Sequence, residues 1–170
     1  MLSLVLRHKP QSIGIELDEA GWVNISDLID ALNASGKQIN HELLLAIVYE
    51  NDKQRFAISD DGQTIRANQG HSLDVDLGLA PVDPPPTLFH GTVAKFLESI
   101  KEHGLMPGSR QHVHLSADTT TAEIVARRRG QPIILTIKTK PMVDKGHQFF
   151  RSANGVWLIR SVPAKFIDFD

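Results

Sequence analysis

The sequence predicts an α+β protein of two lobes, and three observations carry that expectation. Short helix-period and strand-period patterns are interspersed along the chain instead of repeating as one regular unit. A proline-rich segment, Pro81-Val82-Asp83-Pro84-Pro85-Pro86, interrupts the 170 residues near their middle. The charge changes sign at the same place: residues 1–86 carry 6 Lys and Arg against 13 Asp and Glu, and residues 87–170 carry 12 against 7. The net charge of −2 therefore averages an acidic half and a basic half, and five of the eight His lie in the basic one. Consecutive prolines favour extended backbone and end helices and central strands. Residues 72–86 are accordingly expected to link a lobe over 1–71 to a lobe over 87–170.

In the first lobe, Leu2, Leu4, Val5 and Leu6 predict a short helix that stops before Pro10, because proline disfavours helix at the residue ahead of it. Gly14 to Trp22 reads as a turn and short strand. Ser26 is the expected N-cap of a helix that Gly36 ends, and Asn40 that of a second helix carrying Leu43, Leu44, Ala46, Ile47 and Val48. Arg55–Ser59 and Gln63–Ala67 flank Asp60-Asp61-Gly62, which predicts a hairpin. Helices followed by a small hairpin resemble a winged-helix module. Such a lobe, acidic in bulk, would meet nucleic acid through a few placed Arg residues.

In the second lobe, strands are expected at Thr87–Phe89, Val113–Leu115, Pro132–Lys138 and Gly155–Ile159. Ala94 to His103 predicts an amphipathic helix closed by Gly104, and Thr120 to Arg128 a second helix. Neither G-x-G-x-x-G after a strand nor G-x-x-x-x-G-K-[ST] is present, which argues against Rossmann and P-loop nucleotide sites.

Composition excludes several classes. Hydrophobic residues make up 41% and charged residues 22%, a globular and not a disordered profile. Cys is absent, so disulfides, a thiol nucleophile, Cys-type zinc and iron–sulfur sites are excluded. A reducing cytoplasm is the expected compartment. Apolar runs such as Leu43 to Val48 fall far short of the roughly 20 residues that span a bilayer. Arg7, His8 and Lys9 interrupt the apolar N-terminal stretch, so no secretory leader is expected.

Several polar groups have two readings each. Arg7-His8-Lys9-Pro10 is either a solvated helix end or a phosphate clamp, since Arg offers a planar fork of donors and His donates a hydrogen bond or a proton. Arg55 and Arg66 are ordinary strand residues taken singly. Arg66-Ala67-Asn68-Gln69-Gly70-His71-Ser72 is either a polar turn or a phosphate- or ribose-binding loop. His90-Gly91-Thr92 is either a strand end or a site where Gly admits a ligand to the backbone. His112 and His114 share one strand face; with no nearby carboxylate-rich triad, His114 and Ser116 fit a ligand cleft better than a metal site. In Arg127-Arg128-Arg129-Gly130, three adjacent cations point different ways on a helix, so one or two at most serve a single site.

Together these segments resemble the RNA 2'-phosphotransferase family, best known for tRNA 2'-phosphotransferases. The resemblance runs over essentially the whole chain. It is carried by Leu4–Pro10, Gly21-Trp22, Lys53–Phe56, Ile65–Ser72, Phe89–Thr92, His112–Ser116, Arg128–Pro132 and Asn154–Leu158. It implies a winged-helix RNA-binding lobe and an NAD-binding lobe akin to ADP-ribosyltransferases. The implied catalytic residues are Arg7, His8, Arg55 and Arg128. Arg129 stands where many members have His and Ala126 where many have Gly, so Arg127 and Arg129 stay as alternatives for the last Arg. His90, Gly91, Thr92, His114 and Ser116 are the implied NAD-binding residues. Arg66, Gln69, His71 and Ser72 are expected to bind RNA or its phosphate.

The implied reaction moves an internal RNA 2'-monophosphate to NAD through an ADP-ribosylated RNA 2'-phosphate. It yields a free 2'-OH, nicotinamide and ADP-ribose 1'',2''-cyclic phosphate. NAD is consumed, and the chemistry calls for no metal. A phosphate dianion is already a nucleophile, so positioning should dominate, and charge building on phosphorus oxygens suits Arg7, Arg55 and Arg128. A monomer is expected. Two rivals stay open: an NAD-dependent ADP-ribosyltransferase acting on nucleic-acid phosphates, and a noncatalytic winged-helix nucleic-acid-binding protein.

Overall fold

Helix α1 (Leu2–Arg7) buries Leu2, Val5 and Leu6, an i, i+3, i+4 stripe that faces one side of a helix. It ends ahead of Pro10, which opens a 3-10 turn over Pro10–Ile13. In this computed structural model all of residues 1–170 are described, and they divide into two units, Met1–Gly78 and Leu79–Asp170.

The first unit continues with β1 (Val23–Asn24), α2 (Ile25–Ala34), α3 (His41–Tyr49), β2 (Phe56–Ile58) and β3 (Thr64–Ala67). The expected hairpin is β2–β3, and β1 adds a third antiparallel strand in the order β1-β3-β2. Two details differ from the sequence expectation. The strand near Gly14–Trp22 forms later, at Val23–Asn24, because Asp18 Oδ1 accepts from the amides of Ala20 and Trp22 (2.9 and 2.8 Å) and closes residues 18–22 into a turn. The α2 cap is Asn24, not Ser26: its extended backbone ends β1, and its side chain accepts from Asp27 N (3.3 Å). Asn40 caps α3 as expected, accepting from Leu43 N at 2.8 Å. Leu28, Leu32, Leu44, Ile65, Val5 and Leu6 form the core, each worth about 1.5–3 kcal/mol on burial.

The second unit holds two three-stranded antiparallel sheets. One has the order β4-β6-β9, from β4 (Thr87–Thr92), β6 (Ile133–Lys138) and β9 (Ile167–Asp168). The other has the order β5-β8-β7, from β5 (Val113–Leu115), β8 (Trp157–Ile159) and β7 (Phe150–Arg151). A bridge between Phe89 and Ser116 joins β4 to the end of β5. Three helices complete it: α4 (Ala94–His103), α5 (Thr119–Arg127) and α6 (Thr139–Asp144). Asp118 caps α5 by accepting from Thr121 N at 2.7 Å. The short β7 and β9 and the Pro141-containing α6 lack the length that shows as periodicity. Leu88, Leu115, Leu135, Ile137, Met142, Phe149 and Trp157 are central to the core.

The proline-rich linker is packed at both ends. Val75 is buried and Asp76 N donates to Glu19 O (2.8 Å) in the first unit. In the second, Val82 N donates to Phe149 O (2.8 Å) and Thr139 N to Pro86 O (3.2 Å). The two units divide at Gly78/Leu79, inside the expected 72–86 linker. No helix is long and apolar enough to cross a membrane.

Candidate functional site

In the first unit, the segment leaving β3 gathers three of the four expected catalytic residues. Asn68 N donates to Arg55 O (2.9 Å), and Asn68 Nδ2 donates to Gln54 O (2.6 Å). These bonds fix the turn that presents Arg55, in which Gln54 takes the left-handed conformation at φ 44°. Two residues on, Gly70 sits at φ +89°, and a Cβ there would stand 3.4 Å from Cζ and Nε of Arg7. Side chains other than hydrogen are thus strained at Gly70 and crowd the guanidinium. Ser72 N then donates to Arg7 O (2.9 Å), and Ser72 Oγ is 2.9 Å from His8 Nδ1. One strand exit, Arg66–Ser72, therefore braces Arg7, His8 and Arg55 together.

Much of this arrangement lies below the surface, while Ser72 is exposed. Arg7 is 7% exposed, Gln69 8% and His71 1%. Neither ring nitrogen of His71 makes a hydrogen bond. Burial, then Arg7, Arg66 and His8, push its imidazole down to about pKa 4, so it is neutral at pH 7. Arg66 lies over the Trp22 ring (4.5 Å to the centroid) and donates to Ala20 O at 3.2 Å. The sequence expected Arg66, Gln69, His71 and Ser72 to touch RNA. In the structure Gln69 and His71 are buried, Arg66 stacks on Trp22, and Ser72 Oγ faces His8 Nδ1.

In the second unit, His90, His114 and two arginines converge. His90 Nδ1 donates to His114 O (3.0 Å), since a carbonyl only accepts; Nε2 is then the acceptor of the neutral ring. Burial holds His90 below the usual histidine range, and Arg129 lowers it further. Arg110 Nη1 donates to His114 Nδ1 (3.1 Å), so the neutral His114 carries its proton on Nε2. Desolvation, then Arg129, lowers the proton affinity of Arg110. Two guanidiniums beside an imidazole acceptor and an imidazole donor suit a phosphate-bearing ligand with ribose hydroxyls. Residue-by-residue reading of the sequence missed Arg110; its position two residues before the His112–His114 strand face was the available signal.

Other expected ligand contacts sit differently. Thr92 is buried. Ser116 is half-exposed and exchanges backbone hydrogen bonds with Phe89, both at 2.8 Å. Gly91 lets α5 seat on β4: a Cβ there would lie 2.0 Å from Ala122 O of α5. Arg127 pairs with Glu123, Arg128 is exposed at the C-cap of α5, and Arg129 lies 6.0 Å from the Phe96 ring. Of the three, Arg129 is the one whose charge reaches both His90 and Arg110. A concavity of about 460 Å³ next to Glu123, Arg127, Gly130 and Gln131 includes none of the residues expected to bind NAD.

Comparison with known proteins gives the family. Residues 1–161 match the model of the RNA 2'-phosphotransferase, Tpt1 / KptA family. A "Probable RNA 2'-phosphotransferase" of Agrobacterium fabrum is 52% identical over 166 residues, covering 98% of this chain and 89% of that one. One of Rhodopirellula baltica is 53% identical over 169 residues (99% and 92%), and one of Burkholderia pseudomallei 52% over 168 (99% and 91%). With a match over nearly its full length and relatives at half identity, this chain belongs to the RNA 2'-phosphotransferase, Tpt1 / KptA family.

Proposed function

We propose that this chain removes an internal 2'-monophosphate from RNA by transferring it to NAD. The observation that carries the reading is the bracing of Arg7, His8 and Arg55 by the single segment Arg66–Ser72. The first unit, helices with a β2–β3 hairpin, is read as a winged-helix RNA-binding lobe. The second, with its paired antiparallel sheets, is read as an ADP-ribosyltransferase-like lobe. RNA processing by a cytoplasmic monomer, tRNA splicing included, is the setting this reading implies.

NAD supplies the ribose carbon that accepts the phosphate and is consumed as nicotinamide and ADP-ribose 1'',2''-cyclic phosphate. The protein's part is to hold charge and protons. Arg7 and Arg55 grip the 2'-phosphate with planar forks, fixing a nucleophile that needs no activation. They stabilise the charge that builds on the phosphorus oxygens during transfer, the role that the family resemblance also implies for Arg128. His8 gives a proton to the RNA 2'-oxygen as it departs. On the second unit, Arg110 and Arg129 offer donors to the diphosphate. His90 Nε2 and His114 Nε2–H accept from and donate to ribose hydroxyls.

The test is product analysis after incubation with NAD and an oligonucleotide bearing an internal 2'-phosphate. RNA with a free 2'-OH, nicotinamide and the cyclic phosphate are expected together. Stable ADP-ribosylated RNA that keeps its phosphate would instead establish an ADP-ribosyltransferase. Binding without NAD consumption would establish a noncatalytic nucleic-acid-binding protein.

A further inference from the structure

We infer that Ser72 is a positioning residue that selects the tautomer of His8, and so makes Nε2 the atom through which His8 passes its proton. The observation is the 2.9 Å contact between Ser72 Oγ and His8 Nδ1, across 64 residues of sequence. A second bond, Ser72 N to Arg7 O at 2.9 Å, anchors the serine beside His8 through its backbone. The inference rests on the reading of His8 as the proton donor in phosphate transfer.

A hydroxyl either donates or accepts. If Ser72 donated, Nδ1 would be bare and the only ring proton would be on Nε2. Giving that proton away would leave an imidazolate, which is prohibitive near neutral pH. If Ser72 accepts from Nδ1–H, the same bond holds in both protonation states. The imidazolium then gives its Nε2 proton to the RNA 2'-oxygen as the bond from that oxygen to phosphorus breaks. A neutral ring protonated on Nδ1 remains. The proton of the attacking ribose hydroxyl leaves to solvent as its oxygen bonds to phosphorus, and a solvent proton restores the imidazolium. Acceptance is the one arrangement that lets His8 act as an acid. The logic is that of any catalytic histidine whose far nitrogen is held by an acceptor.

Two independent measurements test this. Ring ¹⁵N spectra of His8 in the whole protein, read above its pKa, are expected to show the Nδ1–H tautomer, and Ser72→Ala is expected to shift it toward Nε2–H. In single turnover with NAD and a 2'-phosphorylated oligonucleotide, Ser72→Ala is expected to slow release of free 2'-OH RNA by about 10-fold or more. Nicotinamide release stays within about twofold of wild type, because that step asks no proton of His8. Ser72→Thr, which keeps the hydroxyl, restores both the tautomer and the ratio of the two rates. An Nε2–H tautomer in the wild type, or equal slowing of both steps in Ser72→Ala, would overturn the inference. The spectra need no turnover. A protein with the expected tautomer and no phosphate transfer would refute the proposed function while leaving the Ser72–His8 arrangement standing.

Discussion

Gly91→Ala replaces one hydrogen with a methyl group, and the structure says where that methyl goes. Its carbon would lie 2.0 Å from Ala122 O, 2.8 Å from Ala122 C and 2.9 Å from Ala126 Cβ. Carbon and oxygen need more than 3 Å, so α5 and β4 must part by about 1 Å or more, and two of the three atoms are backbone that no rotamer change moves aside. Ala122 and Ala126 are 1% and 2% exposed, so the helix is already seated. Overpacking of this kind costs about 3 kcal/mol, at the upper end of the usual range. For a chain of this length that lowers the melting temperature by roughly 6–12 °C. Thermal and guanidinium unfolding followed by circular dichroism read both quantities. Adding Ala126→Gly removes only the 2.9 Å contact, so the double variant is expected to stay close to Gly91→Ala. A Gly91→Ala melting temperature within 2 °C of wild type, or full rescue by Ala126→Gly, would refute the packing argument.

The pH dependence of stability follows from His71. Its folded pKa, about 4, lies below the ordinary histidine value of 6.5, so between those values the unfolded chain binds the extra proton. Stability from this residue is complete above about pH 6.5 and is lost as pH falls toward 4. The upper limit is about 3 kcal/mol, and His71→Gln should flatten that part of a stability–pH curve measured by denaturant titration. Arg110→Ala and Arg129→Ala should each raise the KM for NAD about 10-fold, whereas Arg127→Ala, which loses its pairing with Glu123, should leave it near wild type. His8→Ala should let ADP-ribosylated RNA accumulate in quenched time courses. A block before nicotinamide release would move His8 to the first step.

Local signals made most of the elements legible. Asn40 announces α3 because its side chain is a good cap wherever an apolar run follows. Gly104 closes α4, and the Asp60-Asp61-Gly62 turn joins two strands, for equally local reasons. The α2 cap is Asn24 and not the expected Ser26, because pairing of Val23–Asn24 with Ile65 and Thr64, some 40 residues away, sets where the helix starts. The site divides along the same line. Arg7, His8 and Arg55 stand out as chemistry-bearing residues in short motifs, and the family resemblance singles them out. What Gly70, His71 and Ser72 do depends on Arg7 and His8, which lie more than 60 residues earlier, and what Gly91 does depends on Ala122. That the polar loop braces Arg7 and His8, and that Gly91 seats α5, shows only in the fold.

Arg7→Ala tests the central claim most directly, that Arg7 clamps the attacking phosphate of an NAD-consuming RNA 2'-phosphotransferase. Nicotinamide release is followed in single turnover with NAD and an oligonucleotide carrying one internal 2'-phosphate. The account predicts a rate on the order of 10² to 10³ below wild type, with the melting temperature showing that the variant is folded. A folded Arg7→Ala protein that releases nicotinamide within about twofold of the wild-type rate would contradict it.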